Sequence, residues 1–431
     1  MRNPMTTDNI NWARFAKKTP EKRLSHIEKA ELLSPQQLAI LKENQSLSID
    51  TANQMVENVL MTHSLPFGLV PEMMVDNRLY HVPMVTEEPS VIAAASFASK
   101  IIQRSGGFHT SIEERQMIGQ VALYDIADKE VAKEAILTQK DWLIEQANLA
   151  YPSIVKRGGG ARELWLEDKD DFVIVYLSVD TKEAMGANMT NTMMEALSPL
   201  LERLTQGQSL MAILSNYATK TLVSTHCSID LRFLSRNPKE ATKLARKIAL
   251  ASKLAQSDPY RASTHNKGIF NGIDALVLAV GNDWRAIEAA GHTFASRNGQ
   301  YQGLSEWEVD TANHCLKGRL TMPMPIATKG GSIGLNPSVQ VAHELLGHPS
   351  ATELARVAVS LGLAQNFAAL KALTSTGIQA GHMSLQAKSL ALLAGANETE
   401  AALLASKLLT EKHLNLETAQ KCLGTLRANN S

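Results

Sequence analysis

The sequence predicts a mixed α+β protein of two or three domains. Its 431 residues exceed what one hydrophobic core usually organises. Strand-like and helical runs alternate from about residue 111 to residue 222, and helical patterns dominate from Pro337 onward. Apolar residues make up 44% of the chain and charged residues 20%, which is ordinary globular usage and argues against disorder.

The first 110 residues predict short helices, then a strand and a longer helix. Capping hydroxyls precede proline at Thr19-Pro20 and Ser34-Pro35, where helices are expected to begin. Residues 80–85 have a strand pattern, and residues 91–103, rich in Ala and Ile, predict a helix. Because Pro89 suits a first helical turn, Glu88 is expected at the N-terminus of that helix.

Residues 111–222 predict a compact α+β unit of about 110 residues, inserted into the first unit. Strand patterns occupy residues 116–124, 171–179 and 210–214, and helical patterns occupy residues 129–150 and 190–204. The alternation of strand periodicity with helix periodicity distinguishes this stretch from the helical segments on either side.

The second half predicts two strands followed mostly by helices. Residues 225–234 alternate as a half-buried strand, and residues 238–256 predict a helix. The run 274–280, apolar after its first residue Asp274, predicts a buried strand, with the acid Asp283 beyond its carboxyl end. Gly381 and Gly395 are expected to break the last third of the chain into short pieces.

Composition disfavours nucleic-acid and membrane partners. Lys plus Arg equals Asp plus Glu, 43 of each, so the basic excess of a nucleic-acid-binding protein is missing. No window approaches the roughly 18–20 apolar residues that cross a bilayer, and residues 1–18 lack the apolar core of a secretory signal. Cys227, Cys315 and Cys422 suggest neither a disulfide framework nor a metal site. We therefore expect a cytoplasmic protein without a bound metal.

Three acids and a lysine are candidates for acid–base chemistry. Glu87-Glu88 lies at a strand-to-helix junction, where the acids could equally complement a helix dipole. Lys267 and Asp283 flank the predicted buried strand and could form a partly desolvated ion pair that tunes a proton donor. A structural salt bridge would explain the same two residues.

Two glycine-containing segments are candidates for binding a phosphorylated ligand. Lys156-Arg157 precedes three glycines, whose backbone N–H groups can approach an anion closely; a simple basic turn is the alternative. Met185-Gly186-Ala187-Asn188 follows a strand and precedes a helix, which is a favourable place for a cofactor. The G-x-G-x-x-G fingerprint is absent, so a standard dinucleotide fold is not predicted.

The histidine-containing and serine-containing motifs carry less information. His382 follows Gly381 on a hinge-like segment and could move onto a substrate, although an ordinary histidine is the alternative. His343 and His348 resemble a zinc motif, but their spacing puts them roughly 140° apart around a helix. Ser332 lies in a G-x-S-x-G pattern, but two prolines upstream disfavour the buried strand that a serine-hydrolase elbow needs.

Together these motifs resemble the signature segments of hydroxymethylglutaryl-CoA reductases. The matching segments are Glu87-Glu88-Pro89-Ser90, Asp258-Pro259-Tyr260-Arg261, Thr264-His265-Asn266-Lys267-Gly268, Gly281-Asn282-Asp283-Trp284-Arg285 and Gly362-Leu363-Ala364-Gln365-Asn366. The similarity runs from about residue 10 to residue 425 and is greatest to the soluble, bacterial class II enzymes, particularly the biosynthetic enzymes of Gram-positive cocci. It implies a large CoA- and substrate-binding domain (1–110 and 220–376), a small ferredoxin-like nicotinamide domain (111–219) and a helical C-terminal flap (377–431).

The resemblance also implies the residues of the site. The implied catalytic residues are Glu88, Lys267, Asp283 and His382. The implied substrate contacts are Ser90, Arg261, Gln365 and Asn366. The implied cofactor contacts are Glu183, Met185, Gly186, Ala187, Asn188 and Asn216. The family further implies a homodimer with active sites shared between subunits.

The residues near the triple glycine bear on the choice of nicotinamide cofactor. NADH-using members carry an acid just upstream of the triple glycine, suited to a ribose 2′-hydroxyl. Residues 147–152, which include Tyr151, contain no acid here, and Lys156 and Arg157 follow closely. Cations attract a 2′-phosphate, so NADPH is expected, with NADH as the alternative.

The implied reaction is the four-electron reduction of (S)-3-hydroxy-3-methylglutaryl-CoA to (R)-mevalonate and CoA, a step of isoprenoid biosynthesis. Lys267 would stabilise the oxyanion, Asp283 would set the protonation of that lysine, Glu88 would relay a proton, and His382 would protonate the departing thiolate. Two alternatives stay open: a serine-type acyl-CoA thioesterase using Ser332 with a nearby histidine, and a non-catalytic CoA-binding or scaffold protein.

Overall fold

The computed structural model describes residues 10–375, 378–411 and 413–428, without the side chains of residues 378–385 and 398. The strands are β1 (Phe67–Val75), β2 (Arg78–Val85), β3 (Phe108–Ile112), β4 (Gln116–Tyr124), β5 (Gly160–Lys169), β6 (Phe172–Asp180), β7 (Gln208–Ser215), β8 (Leu222–Asp230), β9 (Ser305–Asp310) and β10 (Cys315–Pro323). The helices are α1 (Pro20–Lys29), α2 (Pro35–Lys42), α3 (Ile49–Met55), α4 (Val91–Gln103), α5 (Lys129–Thr138), α6 (Lys140–Ala150), α7 (Pro152–Val155), α8 (Ala187–Thr205), α9 (Pro238–Ser257), α10 (Pro259–Ala279), α11 (Trp284–Ala295), α12 (Pro337–Leu345), α13 (Ala351–Thr374), α14 (Ile378–Leu393), α15 (Glu398–Leu408) and α16 (Leu416–Ala428). This content makes the chain the mixed α+β protein that the sequence predicts.

Six strands form a mixed sheet in the order β2-β1-β3-β8-β10-β9. Neighbouring strands run antiparallel except β1 and β3, which pair in parallel. Helices α4, α9, α10 and α13 pack on this sheet and on each other around the largest hydrophobic cluster. Of the helices in the described part of the chain, α13 is the one long and apolar enough to cross a membrane, and 67% of its most apolar window is buried in this core.

The remaining four strands form an antiparallel sheet in the order β5-β6-β4-β7. In chain order the unit reads β4, helices α5 to α7, β5, β6, helix α8 and β7. This βαββαβ arrangement is the ferredoxin-like topology. Helices α5, α6 and α8 cover one face of the sheet and bury a second hydrophobic cluster, separate from that of the six-stranded sheet.

Helices α14, α15 and α16 pack on one another around a third, smaller cluster. Leu404 and Leu408 of α15 are buried against Ala419 and Leu423 of α16. The C-terminal segment is therefore helical, as predicted, and has its own apolar centre.

Several helix and strand boundaries were predictable from local chemistry. Thr19 and Ser34 cap α1 and α2 by accepting from the N–H groups of Lys22 and Gln37 at 3.5 and 3.4 Å. The predicted limits of α4 and β4 agree with the structure, and β8 and α9 agree within a few residues. These elements have clear periodicity and capping residues.

The predicted buried strand at residues 274–280 is wrong. These residues are the C-terminal part of α10, one continuous helix that also contains the Thr264–Gly268 motif. A fully buried helix and a fully buried strand both give an uninterrupted apolar run, so periodicity cannot separate them. Gly281, with φ of +69°, follows the end of this helix.

Three smaller predictions also need correction. Pro89 is not in the first turn of α4, because the helix begins at Val91 with Ser90 as its N-cap. The helical run 129–150 is divided into α5 and α6 at Gln139. Gly381 does not end a helix, because α14 continues through it. A helix tolerates one glycine at a cost of about 1 kcal/mol.

Candidate active site

Glu88 and Lys267 are in direct contact. Lys267 Nζ donates to Glu88 Oε2 at 2.5 Å, and Asn271 Nδ2 donates to Glu88 Oε1 at 3.4 Å. The side chain of Lys267 is 60% exposed and that of Glu88 is 33% exposed. The carboxylate is therefore partly covered, while the ammonium group keeps an open side that a ligand can approach.

The local structure selects the second glutamate of the pair. Glu88 follows β2, and its backbone N–H donates to Thr86 Oγ1 at 3.1 Å. Glu87 is exposed, whereas Glu88 is half-buried and faces α10. Lys267 and Asn271 lie four residues apart on α10, so a single face of the helix presents both donors to Glu88.

Asp283 does not pair with Lys267 within one chain, so the ion pair expected at the two ends of one short strand is wrong. Asp283 caps α11 by accepting from the N–H groups of Arg285 and Ala286 at 3.1 and 3.2 Å. The preceding residue, Asn282, donates its N–H to Val277 O, ten residues beyond Lys267 on α10 and so about 15 Å along the helix axis. The error follows from the strand prediction, which placed both residues at the ends of a short element.

Two of the predicted substrate contacts have features of a binding site. Ser90 has a φ of +76°, a left-handed backbone conformation that costs a residue with a Cβ about 1–3 kcal/mol. Its side chain makes no hydrogen bond that caps α4. Arg261 is half-buried at the start of α10, and within the described residues it has no hydrogen bond or ion pair. Burial lowers the pKa of Arg261, so an anionic ligand that neutralised this guanidinium would be favoured.

The other two predicted substrate contacts lie in the core. Asn366 is 1% exposed; its Oδ1 accepts from Ser305 Oγ and Trp307 Nε1, both at 2.8 Å. Its Nδ2 lies 3.2 Å from Nε2 of His265. This network favours a structural role for Asn366. Gln365 is 5% exposed, and its Oε1 has no partner among the described residues, which leaves it able to accept from a ligand.

The two glycine-containing segments lie next to each other. Asp180, at the end of β6, accepts from Arg162 at 3.2 Å and pairs with Lys182 at 3.0 Å. Arg162 also donates to Gly158 O at 2.6 Å, which ties the triple-glycine turn to the turn that leads into α8. Asn148, in the stretch that lacks an acid, accepts from Ala161 N at 2.8 Å.

The N-terminus of α8 is open. Gly186 is its N-cap, with φ of +95°, and a Cβ there would come within 2.2 Å of Thr181 Cγ2, so the turn requires glycine. No side chain caps the helix, so the first-turn N–H groups, including those of Ala187 and Asn188, are available to an anion. Met185 is half-buried just before the cap.

The remaining predicted cofactor residues differ in exposure and partners. Lys156, Arg157 and Asn216 are exposed, and Tyr151 is half-buried against the second hydrophobic cluster. Glu183 Oε2 accepts from Thr328 Oγ1 at 2.5 Å and from Ala351 N, the first residue of α13, at 2.8 Å. Glu183 therefore links the turn before α8 to the larger core. His382 lies on α14, and its side chain is outside the described residues.

The motifs set aside in the sequence have no catalytic arrangement. Ser332 lies in an exposed turn nine residues after the end of β10, so no strand leads directly into it as a nucleophile elbow requires. Pro323 is accommodated as the last residue of β10, paired with Leu222. No group of three or more metal-binding side chains occurs in the part of the chain that the structure describes.

Three residues at these sites were missed in the sequence. Asn271 would have been found from its spacing to Lys267, had α10 been predicted as a helix. Asn282 lies inside a recognised motif, and its amide bonds to both Ala327 N and Ala327 O, at 2.7 and 2.9 Å. Arg115 has no local signal, because its partners come from two distant segments.

Comparison with known proteins identifies the family. Residues 19–387 match the model of the family described as hydroxymethylglutaryl-coenzyme A reductase. The 3-hydroxy-3-methylglutaryl-coenzyme A reductase of Archaeoglobus fulgidus is 40% identical over 419 residues, covering 96% of this chain and 94% of that protein. A probable enzyme of the same name from Borreliella burgdorferi is 34% identical over 339 residues, 77% of this chain and 76% of its own.

Solved structures agree with this match. A 3-hydroxy-3-methylglutaryl-coenzyme A reductase from Streptococcus pneumoniae is 61% identical and superposes with a TM-score of 0.85, covering 97% of this chain and all of that one. The class II reductase from the same organism, bound to NADPH in open conformations, is 60% identical with a TM-score of 0.84, covering 85% of this chain and all of that one. These matches place the chain among the oxidoreductases. The chain belongs to the hydroxymethylglutaryl-CoA reductase family, as its motifs predict.

Proposed function

We propose that the chain reduces (S)-3-hydroxy-3-methylglutaryl-CoA to (R)-mevalonate and CoA, using two equivalents of NADPH. Family membership supports the reaction. The observation that carries the proposal is the contact between Glu88 and Lys267, because reducing a carbonyl to an alcohol requires stabilisation of an oxyanion and delivery of a proton.

The residues around α8 fit a nicotinamide dinucleotide. The uncapped N-terminus of α8 at Gly186, Ala187 and Asn188 would receive the pyrophosphate. Lys156 and Arg157, exposed beside the triple-glycine turn, would hold the adenosine end. When bound, the dihydronicotinamide supplies the reducing equivalents for both reductions.

Lys267 and Glu88 divide the acid–base work between them. The Lys267 ammonium would lie against the carbonyl oxygen and stabilise the negative charge that develops on it. Glu88, within hydrogen-bond reach of that ammonium, would relay a proton to the same oxygen. Asn271 holds the second carboxylate oxygen of Glu88 and so fixes the direction of the first.

His382 has a separate role in the proposal. Loss of CoA from the hemithioacetal releases a thiolate, and an imidazolium that protonates this thiolate makes it a better leaving group. Its position on the C-terminal helical segment suits a group that closes over the thioester after binding.

We further propose a homodimer in which Asp283 reaches the site of the other subunit. Within one chain, Asn282 bonds to Val277, which lies about 15 Å along α10 from Lys267, and Asp283 is the next residue. A site that contains all four catalytic residues therefore needs a second copy of the chain. This arrangement is the one that the family resemblance implies.

Substrate recognition is proposed for Arg261, Ser90 and Gln365. Arg261 would pair with the free carboxylate of the substrate, a task for a planar bidentate donor. The unpartnered Gln365 Oε1 would accept from the 3-hydroxyl group. Asn366, which the sequence pairs with Gln365, would act by holding α13 in place through Trp307.

The division into domains and the cellular location complete the proposal. The large domain would comprise residues 1–110 and 220–376, the cofactor domain residues 111–219, and the flap residues 377–431. The separate hydrophobic clusters of these parts support the division. We propose that the enzyme works in the cytoplasm.

Steady-state turnover with NADPH and with NADH, in both reaction directions, tests the proposal. We expect absorbance at the nicotinamide wavelength to fall when the CoA thioester is added, with a higher kcat/KM for NADPH. The residues near the triple glycine support that order, because cations without an upstream acid favour the 2′-phosphate.

The control is thiol release in the absence of any nicotinamide. CoA release without NADPH would support the thioesterase alternative and contradict the proposal. If neither the thioester nor NADPH is consumed, and the reverse reaction also shows no turnover, the chain would be a non-catalytic CoA-binding protein.

A further inference from the structure

The half-buried guanidinium of Arg115 joins two distant segments. Arg115 lies between β3 and β4, where the chain enters the four-stranded sheet. Its Nη1 donates to Lys182 O and its Nη2 donates to Ile326 O. Both nitrogens also lie 3.4 Å from Ala184 O. One side chain therefore bonds to the turn that precedes α8 and to the segment that follows β10.

The segment after β10, residues 326–328, is held from the other side as well. The amide of Asn282 bonds to both the N–H and the carbonyl of Ala327, at 2.7 and 2.9 Å. Thr328 donates its N–H to Glu183 O at 2.9 Å and its hydroxyl to Glu183 Oε2 at 2.5 Å. Three successive residues thus connect the turn before α8 with the loop that carries Asp283.

Charge and shape favour arginine at position 115. Burial lowers the pKa of Arg115, and the carboxylates of Glu183 and Asp180 oppose that effect. The acceptors are backbone carbonyls of separate segments, which a planar fork of donors can reach at the same time. A lysine has one ammonium group and could not hold Lys182 O and Ile326 O in the same geometry.

We propose that Arg115 is a positioning residue that fixes the turn before α8, and hence the cofactor-binding N-terminus of α8, to the segment after β10, which Asn282 holds from the other side. The inference rests on the proposed function, because it assumes that a nicotinamide dinucleotide binds at α8. Through residues 326–328 the same bonds set the position of Asp283, the neighbour of Asn282. Cofactor binding and the placement of this acid are thereby coupled.

Two variants and one matched control test this role. Arg115→Met removes the donors at similar length, and Arg115→Lys retains the charge alone. Arg319→Met is the control, because that arginine is 70% exposed on β10 and pairs with Glu306 away from both segments. The readouts are the Kd of NADPH without substrate, measured by nucleotide fluorescence, the KM of the CoA thioester and the midpoint of thermal unfolding.

We expect Arg115→Met to raise the Kd of NADPH by about 10-fold or more, while the KM of the CoA thioester changes by less than about 3-fold. Arg115→Lys should fall between wild type and Arg115→Met, and Arg319→Met should match wild type. Should Arg115→Met fail to fold, the Kd of NADPH and the KM of the CoA thioester are compared between Arg115→Lys and wild type instead. A lower unfolding midpoint with an unchanged Kd for NADPH, or an equal loss in every parameter, would mean a purely structural role and overturn the inference.

A double-mutant cycle with Asn282→Ala tests the coupling through residues 326–328. We expect the combined effect on the Kd of NADPH to be smaller than the product of the two single effects, because both variants release the same segment. Independent effects would contradict the coupling. If the wild-type enzyme itself neither binds NADPH nor turns over, the proposed function fails, whereas normal wild-type binding with indifferent Arg115 variants rejects this inference only.

Discussion

Lys267 and Glu88 lie 179 residues apart in the chain, yet Lys267 Nζ is 2.5 Å from Glu88 Oε2 in the fold. The contact pairs the exposed face of α10 with the turn after β2, and it singles out Glu88 from its neighbour Glu87. Because these adjacent acids are of the same type and only Glu88 contacts Lys267, they offer a controlled test of the site.

Glu88→Gln should lower kcat for thioester reduction by at least about 100-fold, since an amide cannot relay a proton. Glu87→Gln should leave kcat within about 2-fold of wild type, because that side chain is exposed. Steady-state kinetics on the two purified variants provides the measurement. Similar losses in both would mean that the turn as a whole, and not the Glu88 carboxylate, is required.

Lys267→Ala should abolish thioester reduction and mevaldehyde reduction alike, since both steps place negative charge on the same oxygen. Binding of CoA, measured by calorimetry, should be unchanged. Lys239→Ala, an exposed lysine of α9, is the matched control. Residual turnover above about 1% with either substrate would count against the oxyanion role.

His382→Gln should impair thioester reduction far more than reduction of free mevaldehyde. Only the thioester releases a thiolate that needs a proton, so the loss should be about 100-fold or more with one substrate and less than about 5-fold with the other. The comparison uses the same enzyme preparation with both substrates. Equal losses would refute the thiolate role.

Reversing the charge at Lys156 and Arg157 should change the preference for the cofactor. The double variant to glutamate should raise the KM of NADPH by about 10-fold or more and leave the KM of NADH within about 3-fold, because only NADPH carries the 2′-phosphate. Arg203→Glu, near the C-terminus of α8, controls for the change in net charge. A parallel rise for both cofactors would place the two cations elsewhere than the 2′-position.

Stability should depend on pH through Asp274 on α10. Burial, and then the carboxylate of Glu288, raises the pKa of Asp274 to about 8. In the unfolded chain the value is about 3.9, so between about pH 4 and pH 8 the folded state holds a proton that the unfolded state has released. The free energy of unfolding should therefore fall as pH rises through that window, by up to roughly 1.4 kcal/mol per pH unit from this group.

Asp274→Asn should flatten this dependence, because an amide does not titrate. Denaturant unfolding at pH 5, 6, 7 and 8 measures the effect, with the exposed Asp171→Asn as the control. The difference between Asp274→Asn and wild type should grow in favour of the variant as pH rises. Parallel curves for all three proteins would show that Asp274 ionises normally.

Much of the fold was predictable because its signals are local. The capping residues Thr19 and Ser34 and the periodicity of α4, β4 and α9 predicted those elements nearly to the residue. The αβ alternation of residues 111–222 predicted a compact α+β unit there, and the family resemblance implied its ferredoxin-like topology. The buried part of α10 was mistaken for a strand, since a helix surrounded by core on most sides loses the amphipathic pattern that identifies it.

The site was predictable as a set of residues but not as a set of contacts. Motif resemblance named Glu88, Lys267 and Asp283, whereas the expected ion pair of Lys267 with Asp283 came from the strand prediction and is not made within one chain. It also named Asn366, which the structure buries in a network with His265, Ser305 and Trp307. Arg115 could not be recognised, because nothing near it in the chain marks a guanidinium whose acceptors are carbonyls 67 and 211 residues away.

By itself, the sequence determined the family, a compact α+β unit and the candidate catalytic side chains, because periodicity, capping and motifs act over a few residues. Only the tertiary structure decided which acid meets Lys267, which amides are buried and how the turn before α8 is held. Those outcomes depend on the packing of α10 and α13 against the sheet and on carbonyl groups that every residue possesses. Because every residue has a backbone carbonyl, the residue type does not show which carbonyls accept these hydrogen bonds.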